Sequence, residues 1–223
     1  MSIQRMFKIG ILAATLLVLG STAAVADTLT FGLNTSSIEG LGTFDLAFQL
    51  VDGSGTGDAN NTVTLSHFEF YGGSVSGATT LYGGASGNLS SGLTLTDSNS
   101  FFNAAIGGFV AGSALTFNAT FTNNADVGPF EDMFMMSILD PSGNGIPTLD
   151  STNDTFLTVT LNGTLQPALG NGPPAPPLEV WGADPSQTTY DLGAPQVVPE
   201  PASLVLLGSG LIGLGLKRRR QRA

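Results

Sequence analysis

The chain has 223 residues, no cysteine and a formal net charge of −10, from 7 Lys and Arg against 17 Asp and Glu. All the basic residues stand near the ends, at Arg5 and Lys8 and then at Lys217, Arg218, Arg219, Arg220 and Arg222. The body between them is acidic with a single histidine, His67. That disfavours nucleic acid as a partner, because phosphate contacts need cationic side chains, and it excludes disulfides, thiolate metal sites and thiol nucleophiles.

The opening "MSIQRMFKIGILAATLLVLGSTAAVADT" places Arg5 and Lys8 ahead of an apolar run from Ile9 to Leu19, followed by Ala24-Val25-Ala26. A basic flank, an apolar stretch and small residues two apart are the order of a secretory signal. Residues 1–26 are expected to form a signal helix carried to the Sec machinery. Signal peptidase would read Ala24 and Ala26 and cut after Ala26.

From Thr28 to about Leu165 the text is Gly, Ser, Thr and Asn interrupted by short alternating runs. "GTFDLAFQL" sets Phe44, Leu46, Phe48 and Leu50 on one face, and "ALTFNATF" does the same with Leu115, Phe117, Ala119 and Phe121. A period of two predicts half-buried strands. In "TVTLSHFEF" the apolar phase moves from Val63 and Leu65 to Phe68 and Phe70, which predicts a β-bulge near Ser66-His67. "TLTFGLN", "GLTLTD", "MFMMSIL" and "FLTVTLNG" read as further strands, separated by turns such as "VDGSGTGD" and "DPSGNG". Eight or so strands predict an all-β fold over 27–165, an antiparallel β-sandwich with the jelly roll among its forms. The pattern leaves sandwich against barrel open.

Residues 166–198 hold much of the chain's proline and read as an extended spacer. Trp181 and Tyr190 are expected to pack back on the sandwich, or "LEVW" to form a last edge strand.

The chain closes with "VPEPASLVLLGSGLIGLGLKRRRQRA". Residues 202–216 are apolar or small and would span about 22 Å as a helix, against a hydrocarbon thickness of about 30 Å. Lys217, Arg218, Arg219 and Arg220 would stop transfer and stay in the cytoplasm. Two prolines at the entry bar helix and hold the peptide extended, as a protease needs.

This ending resembles the PEP-CTERM sorting signal of Gram-negative bacteria over residues 199–223: the motif at 199–201, a short glycine-rich helix at 202–216 and a basic tail at 217–223. The resemblance implies an exosortase of the inner membrane that recognises Pro199, Glu200 and Pro201 and cuts near them. The span would then be a transient anchor, and the body would pass to the cell surface or extracellular matrix. Residues 30–160, through "LNTSSIEGLGTFDLAFQL", "LYGGASGNLSSGLTLTDS" and "SILDPSGNGIPTLD", also resemble a group of small PEP-CTERM proteins of unassigned role.

Candidate chemistry is sparse. His67 has no partner in sequence for nucleophilic catalysis, so neither an enzyme nor a catalytic residue is expected. Two loops carry oxygen donors that would suit calcium: Asp52, Asp58, Asn60 and Asn61 in "DGSGTGDANN", and Asp140, Asn144, Asp150 and Asp154 in "DPSGNGIPTLDSTND". Neither has EF-hand spacing, and ordinary turn chemistry is the competing reading. The expectation is therefore no cofactor and no metal site, with calcium as the alternative. The sequence points to an exported protein with a structural or adhesive role in exopolysaccharide. Next stands a glycan-binding module presenting Tyr71, Tyr82 or Trp181, and third a secreted hydrolase using paired carboxylates.

Overall fold

The computed structural model describes residues 27–125, 129–163 and 177–198, together with the pairs 166–167 and 174–175. The expected signal segment, Pro199, Glu200, Pro201, the helix at 202–216 and the basic tail lie outside the described residues. In chain order the strands are β1 (Asp27–Asn34), β2 (Thr43–Val51), β3 (Thr62–Glu69), β4 (Ser74–Tyr82), β5 (Ser86–Asn88), β6 (Gly92–Thr96) and β7 (Phe102–Val110). They continue with β8 (Ala114–Phe121), β9 (Asp132–Leu139), β10 (Leu157–Leu161), β11 (Gln166–Pro167), β12 (Pro174–Ala175), β13 (Leu178–Val180) and β14 (Gln196–Val198).

Two antiparallel six-stranded sheets result. One runs β14-β1-β8-β3-β6-β5 and the other β13-β10-β9-β2-β7-β4. The pairs β1–β8, β2–β7 and β3–β6 are those of a long ribbon rolled across two sheets, which is the jelly-roll winding. β5 departs from a full roll, because it stays beside β6 instead of joining β4's sheet. Each sheet keeps two edges, so the fold is a sandwich and not a closed barrel.

Alternation fills the space between the sheets. Phe31 and Phe117 from one sheet meet Phe48 and Phe134 from the other, all essentially without solvent exposure. Phe48 lies 5.5 Å from Phe117, 6.2 Å from Phe134 and 5.8 Å from Phe68, ring centre to ring centre. Phe68 reaches that cluster because of the expected bulge. Ser66 pairs with Asn118 and Glu69 with Thr116, so three steps on β3 match two on β8. The extra residue is taken up around His67, whose φ is +54°, and Phe68 and Phe70 turn inward.

Two strands escape the alternation rule for opposite reasons. β7, "FNAAIGGFV", is central and largely buried on both faces, so it reads as a continuous small-apolar run. Its Gly107 leaves room for Leu89, since a Cβ there would stand 2.7 Å from that side chain. β4, "SVSGATTLY", is an edge strand with little burial on either face, so selection for alternation is weak.

Part of the segment read as a spacer is built into the sandwich. β13, within "LEVW", pairs with β10 and β14 pairs with β1. Tyr190 packs edge-on against Phe44 at 5.4 Å, and Leu192 is buried. Neither strand contains a proline: Pro177 and Pro195 fall immediately ahead of β13 and β14, where no ladder hydrogen bond is lost. The folded unit therefore reaches Val198 and does not stop near residue 165.

Phe48 sits where the aromatic contacts converge, so Phe48→Ala leaves a large cavity. The substitution is expected to cost roughly 3–5 kcal/mol in a denaturant titration, whereas truncating the exposed Phe130 leaves the midpoint nearly unmoved.

Candidate functional site

The polar end of the sandwich gathers loops from both sheets. Asp52 follows β2 directly and is almost wholly buried. The chain after it, "GSGTGD", is short enough in side chains to wind around the carboxylate. Oδ1 accepts from Gly55 N at 2.9 Å, and Oδ2 accepts from Gly57 N at 2.7 Å and Asp58 N at 3.1 Å. Gly57 is required twice over: its φ is +74°, and a Cβ there would stand 2.6 Å from the Asp97 carbonyl oxygen. The loop thus lies directly on the end of β6.

Asn61 ties the neighbouring elements together. Its N–H donates to Asp97 Oδ2 at 3.0 Å, and its side-chain amide donates to Asp132 Oδ2 at 2.8 Å and to the Asn124 carbonyl at 3.0 Å. Asp132 Oδ1 in turn accepts from Gly53 N at 2.8 Å. Asp97 has no solvent exposure, and its Oδ1 has no hydrogen-bond partner. Carboxylate oxygens of Asp52, Asp58 and Asp97 all lie within 4.8 Å of one another.

The two buried acids titrate in opposite directions. Burial pushes Asp52 up, but the Ser54 hydroxyl and the N–H groups of Asp58, Gly55 and Gly57 outweigh it and hold the carboxyl below its ordinary value. Burial pushes Asp97 up as well. The Asn61 N–H and the Asp132 carboxyl oppose this, the charges of Asp58 and Asp52 reinforce it, and the net shift is upward.

The second loop singled out in the sequence behaves differently. Asp140 Oδ1 accepts from Ser142 N and Asn144 N, both at 2.9 Å. Asp150 accepts from Thr152 N at 2.9 Å and from the Thr155 hydroxyl at 2.7 Å, and Asp154 Oδ1 accepts from Thr148 N at 3.2 Å. These are turn and loop caps, each serving its own backbone. Asp97 was missed by sequence reasoning because it is remote in the chain, and only the β3–β6 pairing brings it to Asn61.

The expected aromatics do not share one face. Tyr71 is exposed in the turn after β3, and Trp181 is half-buried after β13. Tyr82 is exposed beside a shallow groove on the outer face of its sheet, lined by Ala47, Gln49, Phe102, Ala104 and Ile106. Phe102 had gone unnoticed because it begins a strand with no alternation. His67 is exposed in its bulge, with Nδ1 3.0 Å from the Ser66 hydroxyl.

Strand register locates the ends of the folded unit. Val198 pairs with Thr30, Asp27 with Phe121, and Phe121 also with Val63. The start of β1 therefore lies at the polar end, and β14, which reaches the middle of β1 at the opposite edge of the sheet from β6, runs toward that end.

Fold and register together define an all-β sandwich whose last strand runs directly into a C-terminal segment. Residues 197–220 match the PEP-CTERM protein-sorting motif. The chain carries that signal, which makes it an exported protein sorted by an exosortase, with a transient membrane anchor. No curated protein and no solved structure matches the chain, and the resemblance of residues 30–160 to a smaller group has no counterpart in these findings.

For Asp150, burial raises the pKa, but the Thr155 hydroxyl and the N–H groups of Thr152, Thr155 and Asn153 bring it below the ordinary value. A depressed folded pKa means stability that is complete above the unfolded value of about 3.9 and lost as pH falls through the folded one. Asp150→Asn should therefore destabilise the protein by roughly 1–3 kcal/mol at neutral pH. Melting curves across pH should show the gap to wild type closing in acid.

Proposed function

We propose that the sandwich is a non-catalytic surface or matrix domain. The Sec machinery and signal peptidase deliver it, an exosortase frees it from its anchor, and it serves a structural or adhesive role in exopolysaccharide. The observation that carries this reading is the continuity between β14 and the sorting motif, which begins at Val197. The whole described fold lies ahead of Pro199, so a cut near Pro199, Glu200 and Pro201 would release a complete domain. An acidic body with no lysine or arginine also suits a hydrated matrix, since it repels copies of itself and stays soluble.

A second reading, glycan binding, is favoured by Tyr82 and Phe102 flanking the outer groove over Gln49. Two rings and an amide on a small-residue floor are what a sugar ring requires for stacking and orientation.

Two experiments together test these readings. In a strain unable to make exopolysaccharide, the protein is expected in the medium instead of on the cell surface. Unchanged surface retention would sink the matrix role. Tyr82→Ala and Phe102→Ala are both exposed changes that spare the fold. If the groove binds glycan, each should weaken retention on the host polysaccharide in affinity electrophoresis by about tenfold. Equal mobility of wild type and both variants would remove the glycan reading and leave the structural role standing.

A further inference from the structure

We infer that Asp52, Asp58 and Asp97 hold one divalent cation of the calcium class at the polar end of the sandwich. The inference is independent of the sorting signal and of the groove.

Geometry comes first. Oxygens sharing one calcium ion lie at most about 4.6–5.2 Å apart, twice a Ca–O distance of roughly 2.3–2.6 Å. The three carboxylates present oxygens within 4.8 Å of one another. Asp52 comes from the end of β2, Asp58 from the following loop and Asp97 from the end of β6, so the set converges from two sheets. Such an irregular set suits calcium's adaptable coordination better than the near-ideal octahedron that magnesium demands.

A second observation points to a ligand. Asp97 is fully buried, yet its Oδ1 has no donor. A carboxylate oxygen shut away from water without a donor is costly, and here the carboxyl groups of Asp52, Asp58 and Asp132 stand beside Asp97. No lysine or arginine exists between Lys8 and Lys217 to offset them. A bound cation would satisfy the orphaned oxygen and cancel the repulsion together.

The remaining coordination is at hand. Asp52 spends one acceptor position of Oδ1 on Gly55 and keeps lone pairs for a metal. Ser54 and Thr56 bring hydroxyls 3.0 Å apart on the same loop. Water completes the shell of many calcium sites, and the exposed Asp58 marks the entry side.

The test uses the full chain in detergent, stripped with a chelator, and titrates calcium chloride calorimetrically beside melting curves. Calcium should give saturable heat in the range of extracellular modules, roughly 10⁻⁴–10⁻³ M. It should also raise the melting temperature beyond sodium chloride at matched ionic strength. Asp58→Asn, an exposed change that leaves the core alone, should weaken binding roughly 10- to 100-fold. Asp97→Asn should abolish the heat and melt higher than wild type in chelator, because its amide becomes a donor among carboxylates.

The inference is overturned if calcium gives no heat, if sodium chloride reproduces the whole shift, or if Asp58→Asn titrates like wild type. A proton held between Asp97 and Asp132 in place of a metal would appear as the first of these outcomes.

Discussion

Folding without an internal lysine or arginine is the constraint from which the rest of the structure follows. With no lysine or arginine from residue 9 to residue 216, a buried carboxylate has only backbone N–H groups, hydroxyls and amides to lean on. Asp52 collects three backbone amides, Asp132 uses Gly53 and Asn61, and Asp150 uses the Thr152 N–H and the Thr155 hydroxyl. Cohesion between the sheets then falls to apolar burial, concentrated in the ring cluster around Phe48 and Phe117. Salt bridges, which contribute little at surfaces in any case, have no part in the body.

The same constraint shapes the polar end. Loops from both sheets meet there, and hydrogen bonding through Asn61 links three of them. β1 starts at that end and β14 runs antiparallel to it, so the start of β1 and the exit from β14 face the same way. β14 is a three-residue edge strand, and such elements open at low free energy cost compared with central strands. A protease that needs an extended substrate can therefore approach the motif without unfolding the sandwich.

Much of this was legible in the sequence where one face is buried and the other wet. β8 alternates without a break and β2 does so except at the buried Ala47, and the phase change in "TVTLSHFEF" marks the bulge at His67. The terminal signal was legible because its chemistry is local and ordered along the chain. β7 was hidden because a strand buried on both faces loses its period, and β4 because an exposed edge never acquires one. In the proline-rich stretch composition reports stiffness and not pairing, so it reads as a spacer, while the expected packing of Tyr190 and the edge strand in "LEVW" are both present. Pro177 and Pro195 fall just ahead of β13 and β14 and not within them, and Tyr190 and Leu192 anchor the stretch through contacts remote in sequence. The candidate cation site was half legible: Asp52 and Asp58 share a glycine-rich loop, while Asp97 is brought in by sheet topology alone.

The most direct measurement is the intact mass of the protein recovered from the surface of its host. A species that begins at Asp27, contains all of β14 and ends close to Pro199-Glu200-Pro201, without Lys217–Arg220, is the predicted result. A mass that retains the arginine-bearing tail, or one cut inside the sandwich ahead of Val198, would contradict the release of a complete domain at its sorting signal.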